Sequence, residues 1–210
     1  DESMEFNTTG ANNTAVGNDS MYANTTGASN TAVGASCMTL NTTGSANTAV
    51  GSAALDACTT GENNTAIGNN ALGAATTQIQ NTAVGRSALS LCTSNYNTGV
   101  GFEAGRELTS GDQLAAFGFQ ACCLNTTGVN NTGLGYKALL VNTTGSHNTA
   151  VGCFALDANT TAGNNAAFGY QSLTDNTTAT NGAAFGHRSL TNNTTGVQNT
   201  AIGADCMYTN

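Results

Sequence analysis

Proline and tryptophan are absent from this chain, and charge is scarce: Asp, Glu, Lys and Arg together make up 8% of 210 residues. Four cations, Arg86, Arg106, Lys137 and Arg188, stand against twelve acids, for a net charge of −8. That balance cannot neutralise a phosphate backbone, which argues against nucleic acid as a partner. No apolar run approaches the ~20 residues of a membrane-spanning helix, so no transmembrane segment is expected. No signal peptide is read, and a start at Asp1 fits a processed or excised chain. The only histidines are His147 and His187, and the acids are scattered. No Ser, His and Asp constellation, phosphate loop or metal-ligand spacing recurs, so the sequence offers no catalytic residue, no metal site and no cofactor.

What the chain has is repetition. A phrase Asn-Thr-Ala-Val-Gly stands at residues 13–17 and returns at 30–34, 47–51, 64–68, 81–85, 148–152 and 199–203, exactly or with small changes. Its closing glycines fall at 17, 34, 51, 68, 85, 101, 118, 135, 152, 169, 186 and 203. The spacing is 17 residues throughout, except for 16 between Gly85 and Gly101. A fixed period in which each unit leans on its neighbours overrides the length prior. Residues 1–210 therefore read as a single elongated repeat domain, with half-coils at both ends and irregular coils near residues 93–113, where a bulge or groove is expected. The strict return of apolar residues at fixed phase argues against a disordered polar tract.

Short period-two alternation bounded by Asn, Gly and Thr reads as strand, and glycine at this density is unfavourable to helix. The expected fold is all-β, a parallel β-solenoid or β-roll of about twelve 17-residue coils with two short strands per coil. With coils ~4.8 Å apart, twelve make a rod of about 58 Å. The first strand is expected near residues 14–16, with the residue before each glycine as an inward apolar column: Val16, Val33, Val50, Ile67, Val84, Val100, Phe117, Leu134, Val151, Phe168, Phe185 and Ile202. The second is expected near residues 20–23, with Leu or Met four after the glycine facing inward, joined six after it by Leu40, Leu91, Leu124 and Val141. Small residues such as Ala54, Ala71 and Ala88, three after the glycine, imply a thin core. Asn four before the glycine, in all coils but those of Leu114 and Gly182, reads as a stacked amide ladder.

Eight sequons share one phase, seven after the glycine: Asn7, Asn24, Asn41, Asn125, Asn142, Asn159, Asn176 and Asn193. They are candidate N-glycosylation sites on surface corners, although Asn-Thr-Thr-Gly is also good turn chemistry without sugar. Others, among them Asn12, Asn18, Asn63, Asn130 and Asn192, lie off that phase. Just after the glycine, Phe102, Phe119, Tyr136, Tyr170 and His187 form a candidate aromatic contact file interrupted by Cys153; it could hold sugar rings or a neighbouring chain, or stabilise the corner. Of seven cysteines, Cys58 and Cys92 share a phase but lie two coils apart, about 9.6 Å, beyond the ~7 Å limit for a disulfide. An odd number leaves a free thiol, or a bond to another subunit if the compartment oxidises.

The Asn-Thr-Ala-Val-Gly phrase, with its Gly-x-x-Asn-Thr lead at residues 10–14, 27–31, 44–48, 61–65, 128–132, 145–149 and 196–200, resembles the YadA-like head repeats of trimeric autotransporter adhesins. Related repeats occur in phage fibres and surface proteins. The resemblance implies a left-handed parallel β-roll, often trimeric, held outside the cell for attachment. It covers nearly the whole chain, but the 17-residue unit is longer than the family's, there is no coiled-coil stalk, and there are seven cysteines. The expected function is an extracellular structural or adhesive fibre module that self-associates, as a filament through open ends or as a trimer, and meets a cell-surface or glycan receptor. The alternatives are an ice-binding solenoid, suggested by files of Thr, and a carbohydrate-binding adhesin head using the aromatic file.

Overall fold

A computed structural model describes residues 2–208. The chain is all-β, a parallel β-solenoid with about 17 residues per coil and one three-residue strand in each. It falls into two compact units, Asp1–Glu103 and Ala104–Asn210. The first holds β1 (Thr14–Val16), β2 (Thr31–Val33), β3 (Thr48–Val50), β4 (Thr65–Ile67), β5 (Thr82–Val84) and β6 (Thr98–Val100). The second holds β7 (Ala115–Phe117), β8 (Thr132–Leu134), β9 (Thr149–Val151), β10 (Ala166–Phe168), β11 (Ala183–Phe185) and β12 (Thr200–Ile202). Within each unit the strands pair in chain order and in register, so that Thr31 meets Thr48 and Val33 meets Val50.

The expected second strand is not formed. In its place runs a turn segment in which left-handed residues alternate with ordinary ones, as at Asp19 (φ 54°) and Met21 (φ 53°). Its backbone still bonds from coil to coil: Met21 N–H donates to Cys37 O at 2.9 Å and Ala23 N–H to Thr39 O at 3.0 Å. Left-handed backbone costs an L-residue roughly 1–2 kcal/mol. Here it lets Leu or Met four after the glycine turn fully inward, and Met21, Met38, Leu55, Leu72, Leu89, Leu139, Leu156, Leu173 and Leu190 are all completely buried.

That inward Leu explains why the strand faces the other way from the sequence expectation. The middle residue of the strand is the buried one: Ala32, Ala49, Ala66, Ala83, Ala116, Ala150, Ala167 and Ala184 have no exposure. The core between strand and turn segment is so narrow that Leu from one wall leaves room only for Ala, or less, on the other. At Gly133 even an added Cβ would lie 2.4 Å from Cys122 Sγ. By alternation along the strand, the residue before the glycine must then point outward. Val16, Val50, Ile67, Phe117, Leu134, Phe185 and Ile202 are exposed, and Val33, Val84, Val100, Val151 and Phe168 are half-buried. The row six after the glycine is also not core, with Leu40 52% and Leu91 44% exposed and Leu124 and Val141 intermediate.

The corner after β3 shows why glycine is required there. Gly51 takes φ 137°, and an added Cβ would sit 2.6 Å from the Gly68 carbonyl carbon of the next coil. The 16-residue coil is repaired inside the other corner. Gln78 Oε1 accepts from Thr76 N–H (2.6 Å) and Thr77 N–H (3.0 Å), while Gln78 Nε2 donates to Thr93 O (3.1 Å). In regular coils the next Thr carbonyl does this directly: Thr42 O receives the N–H groups of Thr25, Thr26 and Gly27 and the Thr25 hydroxyl. A side-chain amide thus stands in for the lost residue, and β5 and β6 stay in register. In the following coil Gly105 (φ 62°) replaces the inward Leu, and Leu108 and Leu114, buried where Asn stands elsewhere, refill the volume. Within either unit, no pocket is found among the described residues.

Candidate functional site: buried amide ladders and an outward face

The sequon asparagines lie in the core rather than on surface corners. Asn24, Asn41, Asn125, Asn142, Asn159 and Asn176 are fully buried and Asn193 is 1% exposed; Asn7 is half-buried. Asn24 Nδ2 donates to Asn7 Oδ1 (2.7 Å) and to Gly27 O (3.1 Å), so both of its amide hydrogens are engaged. Asn41 repeats this with Asn24 and Gly44, Asn142 with Asn125 and Gly145, Asn159 with Asn142 and Ala162, and Asn176 with Asn159 and Ala179. N-glycosylation replaces one of those hydrogens with a sugar. The folded coil therefore excludes it at Asn24, Asn41, Asn142, Asn159 and Asn176, where a core ladder stands in place of the expected surface corners. Among off-phase sequons, Asn12, Asn18, Asn63 and Asn130 are exposed.

A second ladder uses the Asn four before the glycine. Asn30 Oδ1 accepts Asn47 N–H at 2.9 Å, and Asn30 Nδ2 donates to Gly44 O at 2.8 Å. Cysteines fill gaps in the first ladder: Cys58 Sγ lies 3.7 Å from Gly61 O, a weak echo of the Asn bond. No disulfide is formed among the seven cysteines. Burial pushes the Cys37 and Cys58 thiols up to about 11 and Cys122 to about 12, which keeps them protonated and unreactive at neutral pH.

Outside, the second unit presents Phe117, Leu134, Val151, Phe168, Phe185 and Ile202 in one row, with Phe168 and Phe185 stacked at 4.8 Å and 6°. Beside it runs the aromatic file. Phe119 and Tyr136 stack at 5.3 Å and 12°, Tyr170 and His187 at 5.4 Å and 17°, and half-exposed Cys153 stands between the two pairs. Phe102 belongs to the first unit, where the Arg86 guanidinium lies 5.7 Å from its ring. In each pair one face of each ring is spent on its partner. The file thus supports itself by ring stacking within each pair.

The first unit presents a different surface. Thr14, Thr31, Thr48, Thr65, Thr82 and Thr98 form one outward row, with Val16, Val33, Val50, Ile67, Val84 and Val100 beside it. No hydrogen bond from these six hydroxyls is found among the described residues, whereas the corner hydroxyls of Thr25, Thr42, Thr126 and Thr143 each donate to a carbonyl of the next coil. Neither outward strand row, in either unit, carries a charged residue. Among the described residues no three His, Cys, Asp or Glu side chains gather to hold a metal ion, and no helix is long and apolar enough to cross a membrane. Compared with models of known families, with curated proteins and with solved structures, the chain matches none of them.

Proposed function

We propose that this chain is a structural and adhesive fibre module of the cell exterior, akin to YadA-like head repeats, that associates with further copies through the outward face of β7–β12. The observation that carries the proposal is the uncharged row of Phe117, Leu134, Phe168 and Phe185, flanked by stacked aromatics. Contiguous exposed apolar surface marks an interaction site, and aromatic residues are enriched at interfaces. A second copy suits the face because each chain carries net charge −8. Close approach of two such chains is least costly where neither brings charge. A cell-surface receptor would then meet the corners that assembly leaves open. Electron microscopy of the purified protein tests this: filaments or multi-chain rods support it, and single-chain particles at high concentration refute it.

A second reading, ice binding, is favoured by the free hydroxyls of the first unit. Thr14, Thr31, Thr48, Thr65, Thr82 and Thr98 present one hydroxyl and one methyl per coil at the ~4.8 Å coil spacing, on a sheet held in register. Water can both donate to and accept from every such hydroxyl. Thermal hysteresis that is lost in Thr48→Lys with Thr65→Lys, and kept in Thr26→Lys on a corner, supports this reading; wild-type protein without hysteresis removes it.

A further inference from the structure

The position five after the repeat glycine contains a slot for a hydrogen-bond donor. Thr39 Oγ1 donates to Asp19 O at 3.2 Å and Thr174 Oγ1 to Phe154 O at 3.2 Å. Each acceptor belongs to the preceding coil, 20 residues back. Each sits on a left-handed residue, with φ 54° and 56° for Asp19 and Phe154.

In two coils this slot holds an acid. The residues are Asp56 and Asp157, and the carbonyls 20 residues back belong to Ser36 (φ 52°) and Lys137 (φ 53°). The backbone there has the same conformation as in the threonine coils, and no donor to Ser36 O or Lys137 O is found among the described residues. Oδ1 of Asp56 and Oδ1 of Asp157 are both buried with no hydrogen-bond partner. An ionised carboxylate can only accept, so it would face a carbonyl with nothing to offer. A protonated one regains the O–H that threonine supplies.

We propose that Asp56 and Asp157 are held as neutral acids whose Oδ1–H donates to the carbonyls of Ser36 and Lys137, so that acid tightens these coils and rising pH loosens them. The electrostatics agree. Burial raises both carboxyls, Asp157 to about 6. Around Asp157, the Asp175 carboxylate raises it further, while its own N–H, the Ala158 N–H and the Lys137 ammonium pull the other way. Around Asp56 the opposing groups are its own N–H and that of Ala57, and the neighbouring titratable group is the buried Cys37 thiol. A group raised in the folded state stabilises below its unfolded value, and that contribution is lost as pH rises through the folded value. For Asp157 the window runs from the ordinary carboxylate range up to about 6.

Two measurements test this. Thermal unfolding is followed by circular dichroism from about pH 4.5 to 7.5 for wild type, Asp56→Thr with Asp157→Thr, and Asp56→Asn with Asp157→Asn. Both pairs install a permanent donor, so their advantage over wild type should grow with pH across the window; an advantage independent of pH overturns the proposal. Carbon-detected NMR titration of wild type reads Asp157 directly, whether or not the variants fold. A midpoint near 6 is expected, and a midpoint in the ordinary carboxylate range overturns it.

Discussion

Asn131 and Asn142 donate to the same oxygen, the carbonyl of Gly145, at 2.7 and 2.8 Å. Asn30 and Asn41 do the same at Gly44, Asn148 and Asn159 at Ala162, and Asn165 and Asn176 at Ala179. In these coils the two ladders are therefore one network, tied at a corner carbonyl.

Asn142→Ala removes a donor to both Gly145 O and Asn125 Oδ1 and leaves a buried void. A loss of about 1–3 kcal/mol is expected. Asn142→Asp should cost more, because an acceptor-only group then faces two buried oxygens. Denaturant unfolding of the two variants checks both the size and the order. Equal stability of Asn142→Asp and wild type would contradict the ladder.

A host that glycosylates nascent chains meets these sequons before the coil closes. Sugar on Asn24, Asn142 or Asn159 then blocks the ladder, so the glycosylated product should lack the wild-type circular dichroism and cooperative melting. Protein made without glycosylation should show both. A secreted, folded protein carrying mapped glycans at Asn142 would show the ladder assignment to be wrong.

Gln78→Ala takes the stand-in amide from the coil that precedes the short one and strands the N–H groups of Thr76 and Thr77. Water reaches this exposed corner, so the expected loss is modest, about 1 kcal/mol. Hydrogen exchange should quicken first at Thr76 and Thr77. Unchanged exchange there would mean that the amide does not bridge the corner.

Much of the fold was legible in the sequence. The 17-residue period, the parallel stacking, the Asn ladder four before the glycine and the inward Leu four after it all follow from phase alone. The facing of the strand did not. A three-residue strand such as Thr48-Ala49-Val50 reads equally well with Val or Ala inside, and the larger apolar residue is the natural choice. Only the left-handed turn segment, which pushes Leu55 across the core, decides for Ala49. The sequons misled for a related reason: Asn-Thr-Thr-Gly looks like a solvated turn, and nothing local records that Asn24 turns inward to meet Asn7 and Asn41. The same inversion hides the outward face of the second unit, since alternation alone places Phe117, Phe168 and Phe185 in the core.

Sedimentation velocity reads whether the outward face of β7–β12 joins copies of the chain. Wild-type protein should sediment above the mass of one chain. Phe117→Ser with Phe168→Ser and Phe185→Ser should return to that mass with an unchanged circular dichroism spectrum, because all three side chains point away from the core. A wild-type protein that stays monomeric at every concentration, or a folded triple variant that keeps the assembled mass, would show that this face does not join copies of the chain.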